Sequence, residues 1–314
     1  GPAGEGRPTL STVIVSWNVR DLLARCLDSL RRELLAWPEL SSETFVVDNA
    51  SSDGSPALVR GQYSWARLLT NEANVGFAEA NNQAIRLSRG QYILLLNPDT
   101  ELRPGALNAL LVFMQSRPGV GMAGARLLNP DGSLQRSCYR QPSLAREFLL
   151  MFHLDALASY GSYRMEKWDL TRPRQVDSIL GACMLIPGPV LEQVGLLDSN
   201  YFMYSEEVDL CQRVRQAGYP IYWVPQAQIT HFWGGSSAQV ADNMFEQLYR
   251  SKLRFYRKFG GRGSGRLYKL ILFAAGLARL ALSPFTLFEG PASRKRHCQL
   301  TRRYGRLLRA LPSF

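Results

Sequence analysis

A chain of 314 residues that is 46% hydrophobic can bury a large core, and its length fits one large domain or one domain plus an appendage. The net charge of +11 suggests a polyanionic partner, but 16 Lys and Arg against a single acid, Glu289, fall from Arg250 onward, leaving 21 basic and 25 acidic residues before it. A body of net −4 with a basic tail argues against a nucleic-acid-binding domain, and five widely spaced cysteines without a CxxC pair argue against a zinc site and for reduced thiols in a cytosolic protein.

The opening GPAGEGRP lacks the features of a signal peptide, so residues 1–11 are expected to be a tag remnant and flexible lead-in. Thr12 to Trp17 reads as a buried strand. Leu22, Leu23, Cys26, Leu27, Leu30, Leu34 and Leu35 then recur at helical spacing between Arg20 and Trp37. A second strand, Thr44 to Asp48, ends in a carboxylate, and Asn49 to Gly54 supplies turn residues. Arg67 to Thr70 is a short third strand, and Asn74 to Phe77 opens a helix from Ala78 to Leu87. The central strand, Tyr92 to Leu96, runs into Asn97-Pro98-Asp99, followed by a helix from Pro104 to Ser116. Strands alternating with helices predict a doubly wound, mostly parallel sheet.

Beyond residue 120 the pattern loosens. Val120 to Leu128 and Ser133 to Tyr139 read as strands about the Asn129-Pro-Asp-Gly132 turn, and Ser143 to Tyr160 as a helix. The Gly-interrupted Ser178 to Ile186 reads as a strand, Val190 to Leu197 and Glu206 to Ala217 as helices, and Tyr219 to Val224 as a strand before His231. Met244 to Phe259 is an amphipathic helix leading into a Gly-rich hinge, Gly260 to Gly265. Leu267 to Phe288 is interrupted by Lys269, Arg279 and Pro284, too short to span a bilayer, and suits an interfacial helix with Lys269 and Arg279 reaching to headgroups. Packing of that helix on the body or on a second subunit is the alternative.

Several residues stand out chemically. Asp48 and Asp99 end parallel strands on one edge of the sheet, where nucleotide crevices form. Asp99 either anchors a divalent cation carrying a diphosphate or caps the helix entered at Arg103-Pro104, and Asp48 either accepts from a base or ribose or caps its turn. The N–H groups of Asn74 to Phe77 can face an anionic donor. Glu206, Glu207 and Asp209 fall in the first turn of a helix beside Tyr201, Phe202 and Tyr204. One of these acids at least serves the helix dipole, and Glu207 is the candidate general base. His231, before a Gly-rich turn, is either structural or a metal ligand.

Together VIVSWN (13–18), VVDNASSDGS (46–55), NVGFAEANN (74–82), LLLNPDT (94–100), GACMLI (181–186), FMYSEEVDLCQR (202–213) and THFWGGSS (230–237) resemble the inverting family-2 glycosyltransferases of the GT-A fold, in their bacterial rhamnosyltransferase-like branch. The resemblance covers Thr12 to Phe259. It implies a GT-A domain over 12–259, with a nucleotide-sugar-binding half (12–128) and an acceptor-binding half (129–259), followed by a basic, membrane-associating helical tail (260–314). It further implies Mg²⁺ or Mn²⁺ on Asp99 and His231, and a donor lined by Val15, Trp17, Asn18, Asp48, Asn74, Gly76, Phe77, Asn82, Asn97 and Asp99. The acceptor would meet Gly181, Ala182, Tyr204 and Trp233, with Glu206 and Glu207 at the catalytic centre. Two positions depart from the family pattern: Asn97 replaces the first Asp of the usual Asp-x-Asp, and Glu206-Glu207 replaces the usual Glu-Asp.

The resemblance implies dTDP-rhamnose as donor, with UDP-galactofuranose, UDP-N-acetylglucosamine or another nucleotide sugar as alternatives. The acceptor would be a polysaccharide or polyprenyl-linked glycan at the inner face of a bacterial plasma membrane. A nucleotidyltransferase would need a Gly-rich, Lys/Arg-bearing loop after the first strand, and Ser16 to Arg20 is not one. A noncatalytic nucleotide-sugar-binding protein remains the reading of another class, no nucleic-acid partner is expected, and homo-oligomerisation is left open.

Overall fold

The computed structural model describes residues 6–152, 154, 163–232, 241–282 and 291–314, with the backbone alone at 241–242 and 291–296. They divide between two compact units, one built from Gly1–Gln141, Tyr163–Phe202 and Glu206–Gln239, the other from Pro142–Ser162, Met203–Ser205 and Val240–Phe314.

The first unit alternates strands and helices: β1 (Leu10–Ser16), α1 (Arg20–Leu35), β2 (Ser42–Asp48), α2 (Ser55–Gln62), β3 (Arg67–Thr70), α3 (Phe77–Leu87), β4 (Tyr92–Leu96), β5 (Thr100–Leu102), α4 (Ala106–Gln115), β6 (Met122–Leu128) and β7 (Cys138–Tyr139). After α5 (Leu144–Met151), which belongs to the second unit, come β8 (Arg174–Val176), β9 (Ser178–Ile179), β10 (Cys183–Pro187), α6 (Gly188–Val194), α7 (Glu206–Gln216) and β11 (Ile221–His231). The main sheet has the order β3-β2-β1-β4-β10-β6-β11-β5, with β8 also on β11. β1 lies parallel to both β2 and β4, so Ser16, Asp48 and Leu96 end at one edge. β1 is buried along its whole length and β4 is apolar and buried beyond Tyr92, because helices cover both faces. Leu23, Leu27 and Leu30 of α1 pack on one, and Ala80, Ala84 and Ile85 of α3 on the other.

Several elements depart from the sequence expectation. Residues 7–11 are not a lead-in: β1 begins at Leu10, and the Pro8 carbonyl accepts from Gln91 N at 2.9 Å. Neither α2 nor β5 was expected, since eight and three residues carry too little periodicity to show. The strand expected over Ser133 to Tyr139 shrinks to β7, and the one over Ser178 to Ile186 breaks into β9 and β10 around Gly181. β11 does not stop at Val224. It passes Pro225 through an irregularity between Val224 and Gln228, and continues to His231.

The second unit holds α5, α8 (Ala241–Leu282) and α9 (Pro291–Ala310). Ser143 caps α5, its side chain accepting from Arg146 N. The α8 helix runs through the expected Gly-rich hinge, which reduces to one non-helical residue, Gly261. Buried Tyr249, Tyr268, Leu272, Tyr304 and Leu307 form its interior, where the hydroxyls of Tyr249 and Tyr304 meet at 2.9 Å and Lys252 pairs with Glu147 at 2.6 Å. Among the described residues no helix is long and apolar enough to cross a membrane.

Candidate active site

The loops after β1 and β2 are tied together at the sheet edge. Asn18 N donates to Ser51 Oγ, Asn18 Oδ1 accepts from Ser52 N, and Arg20 N donates to Asp53 Oδ2. Asn18 and Ala50 both have positive φ, strain that such cross-bonding holds in place. Asp48 lies opposite Ser16 in the β1–β2 register. Its Oδ2 accepts from Ser51 N at 3.0 Å, so it does cap its turn, but among the described residues buried Oδ1 has no hydrogen-bond partner, and neither has Ser16 Oγ. Buried polar atoms are seldom left so, and here they face the edge where open α/β sheets take ligands.

The third loop of this edge corrects an expectation. The N–H groups of Val75, Gly76 and Phe77 do not face an anion: they donate to Asn49 Oδ1, Asn74 Oδ1 and the Phe202 carbonyl. Asn74 also accepts from Asn49 Nδ2, which makes Asn49 the hub of the loop. Gly76 is required: its φ is 86°, and a Cβ there would lie 2.6 Å from the Phe202 oxygen. Asn82 is likewise turned inward, bonding the Leu197 carbonyl and amide and Ser199 Oγ. Val15 and Phe77 pack in or against the apolar core, and Trp17 is half-buried. Asn74, Gly76, Phe77 and Asn82 thus shape the loop, while Asp48 offers an acceptor.

At the end of β4 the carboxylate of Asp99 is buried. It does not cap α4: Glu33 of α1 does, its two carboxylate oxygens accepting from Gly105 N and Leu107 N at 2.9 Å each. The Thr100 to His231 pairing of β5 with β11 instead brings Asp99 to the histidine, with Asp99 Oδ1 3.3 Å from His231 Nε2. That approach lacks hydrogen-bond alignment, and among the described residues Asp99 Oδ1 has no hydrogen-bond partner. Gln135 decides the tautomer. Its amide nitrogen donates to Asn129 Oδ1 and to the His231 carbonyl, so its oxygen must be the atom 2.6 Å from His231 Nδ1. Nδ1 therefore carries a proton, and in the neutral ring the lone pair on Nε2 points at a carboxylate oxygen. Two facing acceptors suit a cation between them. Among the described residues no group of three or more His, Cys, Asp or Glu is arranged to hold a metal, so a cation here would take further oxygens from a ligand.

The glutamate pair opens α7, preceded by two consecutive residues of positive φ, Tyr204 and Ser205. Glu206 is buried, and its pKa is raised well above the usual carboxylate value by that burial first and by the charge of Glu207 second. Half-buried Glu207 backs onto Gly181, where a Cβ would stand 3.4 Å from its own. Asn97 N donates to the neighbouring Ala182 carbonyl at 2.9 Å, which joins the Asp99 turn to the Glu207 surroundings. The charge of Glu207 also reaches Tyr139, whose hydroxyl is pushed to about 12 by burial and then by Glu207. Asp209 is the structural acid of the three, bonded to Tyr201 OH and Arg213, which in turn holds the carbonyls of residues 194–196. Tyr204 belongs to the second unit, and Trp233 lies outside the described residues.

Carboxylates at the ends of parallel strands, with a glutamate pair of which one member has a raised pKa, lie where open α/β sheets bind ligands. Comparison with known proteins gives the class. Residues 11–165 match glycosyl transferase family 2. Over 236 residues the chain is 31% identical to the N-acetylglucosaminyl-diphospho-decaprenol L-rhamnosyltransferase of Mycobacterium tuberculosis, covering 71% of this chain and 75% of that one. It is 25% identical over 187 residues to the Escherichia coli rhamnosyltransferase WbbL, covering 57% and 69%. Two solved structures share the fold. One is a mannosyltransferase from Pyrobaculum calidifontis in complex with GDP-Man and Mn²⁺, with TM-score 0.56 and 16% identity over 100% of this chain and 88% of that one. The other is GalNAc-T7 with UDP, GalNAc and Mn²⁺, with TM-score 0.52 and 17% identity over 73% and 44%. The chain belongs to glycosyltransferase family 2, and it is a GT-A-like enzyme of that family's rhamnosyltransferase-like branch.

Proposed function

We propose that the chain transfers rhamnose from dTDP-rhamnose to a polyprenyl-diphosphate-linked glycan, with inversion, in bacterial cell-surface polysaccharide assembly. The names of the Mycobacterium and Escherichia relatives support the sugar, and the first of them supports the acceptor class. The observation that carries the reading is the buried Asp99 oxygen facing His231 Nε2 at 3.3 Å, a two-point site that fits a hard cation bound together with a diphosphate. Mg²⁺ or Mn²⁺ held by Asp99 and His231 would offset the charge developing on the departing nucleoside diphosphate.

The remaining roles fall to the chain itself. Asp48 Oδ1 and Ser16 Oγ offer acceptors to the base or ribose, while Asn18 and Trp17 border that loop. Asn97 holds the Gly181-Ala182 segment against the central strand. Glu207 takes the proton of the acceptor hydroxyl as that oxygen bonds the anomeric carbon; the bond to the diphosphate oxygen breaks, and its electron pair leaves with the nucleotide. Burial and the neighbouring Glu207 make Glu206 the weaker acid of the pair, which favours Glu207 as the base. Tyr204 and Trp233 are assigned to the acceptor. The enzyme would work as a peripheral protein on the cytoplasmic face of the membrane.

Thermal shift with a panel of nucleotide sugars tests this, since a ligand at 100 times its Kd stabilises by about 2.7 kcal/mol. Stabilisation by dTDP-rhamnose that needs Mn²⁺, and that Asp99→Ala abolishes, is expected. Equal stabilisation in EDTA would remove the cation from the scheme.

A further inference from the structure

The second arm of α8, after the kink at Gly261, is apolar on two faces. One is buried within its unit, through Tyr268, Leu272 and Ala275. The other is open to solvent: Leu267 is 49% exposed, Leu270 63%, Phe273 45%, Leu277 46% and Leu282 62%, with Ala274 and Ala281 exposed between them. Positions 270, 273, 274, 277 and 281 follow helical spacing, so they form one stripe instead of scattered side chains. Continuous apolar surface of this kind marks an interaction face.

Its charged surroundings select the partner. Arg262 and Arg266 are exposed and precede the stripe at the same helical interval, since 262, 266, 270, 273 and 277 are successive steps of four, four, three and four. No acid lies between Arg250 and Leu282. Arg279, expected to reach towards headgroups, instead turns inward: its guanidinium donates to the Met151 carbonyl and lies 4.9 Å from the Tyr304 ring centre. With Lys269 partly exposed at the same helical interval, the charge at this face lies in the first part of the arm, from Arg262 to Lys269. A second copy docked through the same face would bring no acid to Arg262 and Arg266, whereas anionic headgroups would neutralise them.

We propose that the outer face of α8 from Arg262 to Leu282 lies along an anionic lipid surface, with Leu267, Leu270, Phe273 and Leu277 in the acyl boundary and Arg262 and Arg266 among the headgroups. The inference rests on the reading that the acceptor is lipid-linked, and supplies the surface by which the enzyme meets it. Each arginine near such a surface strengthens partition about fivefold, and salt weakens that share within a Debye length.

The test is flotation of the full chain with phosphatidylcholine vesicles, with and without phosphatidylglycerol. Wild type should float with the anionic vesicles at low salt and much less with the neutral ones. The triple variant Leu270→Ser, Phe273→Ser, Leu277→Ser should lose at least tenfold in partition, and Arg262→Gln with Arg266→Gln should lose the phosphatidylglycerol dependence. All changed positions are exposed, so melting temperatures should stay near wild type. Both variants should keep wild-type hydrolysis of the nucleotide sugar, which separates this face from the chemistry. If no chain hydrolyses any donor, the functional reading fails whatever the vesicles show. Equal flotation of wild type and the triple variant would overturn the proposal. So would a wild-type dimer in sedimentation velocity that the triple variant dissociates, because the stripe would then join two copies.

Discussion

Gln135 Oε1 accepts a hydrogen bond from His231 Nδ1 at 2.6 Å across 96 residues of sequence, and this contact turns the other ring nitrogen towards Asp99. Gln135→Leu should therefore weaken Mn²⁺ binding in the presence of a nucleoside diphosphate by roughly 10- to 100-fold, the usual effect of removing a group that orients a metal-binding histidine. Titration followed by the Mn²⁺ EPR signal measures it. An unchanged dissociation constant would show that the histidine needs no such support.

Burial and the neighbouring Glu207 raise the Glu206 pKa, and this makes stability pH-dependent in a definite sense. The folded state holds the proton more tightly than the unfolded chain, so the contribution is complete below about 4.5, the unfolded carboxylate value, and is lost as pH rises through the raised folded one. Glu206→Gln, which cannot ionise, should thus gain in melting temperature relative to wild type as pH is raised from acid towards and beyond neutrality. A constant difference across that range would mean that Glu206 is ionised in the fold.

Gly76→Ala should destabilise by about 2 kcal/mol, because its Cβ would meet the Phe202 oxygen at 2.6 Å on a backbone of positive φ. Urea unfolding reads this directly. A loss below about 0.5 kcal/mol, the range of ordinary surface changes, would show that the loop yields easily.

What the sequence revealed follows from which signals are local. The apolar runs ending in Asp48 and Asp99 announced β2 and β4 because a buried parallel strand is apolar on both faces, and that placed both carboxylates on one sheet edge. The pairing of Asp99 with His231 depends on β5, three residues long, meeting the end of an eleven-residue strand that passes a proline, and periodicity cannot reach that. Gln135 and Glu33 escaped for the same reason: each works on a partner 72 or more residues away. Asn74 and Asn82 were assigned to the donor by the family resemblance, yet Asn74 bonds within its own loop and Asn82 bonds Leu197 and Ser199.

Glu207→Gln should bind the nucleotide sugar as wild type does and transfer it about 10² to 10⁴ times more slowly, since basicity is lost while shape is kept. Single-turnover assays beside binding isotherms resolve the two effects. Should Glu206→Gln be the silent variant and Glu207→Gln the active one, the roles in the pair are reversed.

The most direct test of the account is proton NMR of the product formed from dTDP-rhamnose, Mn²⁺ and an N-acetylglucosaminyl-diphospho-polyprenol acceptor. A single in-line displacement with Glu207 as base predicts a glycoside whose anomeric configuration is opposite to that of the donor, with no product when Asp99 is replaced by Ala. A product of retained configuration, or transfer undiminished in the Asp99→Ala enzyme, would contradict it.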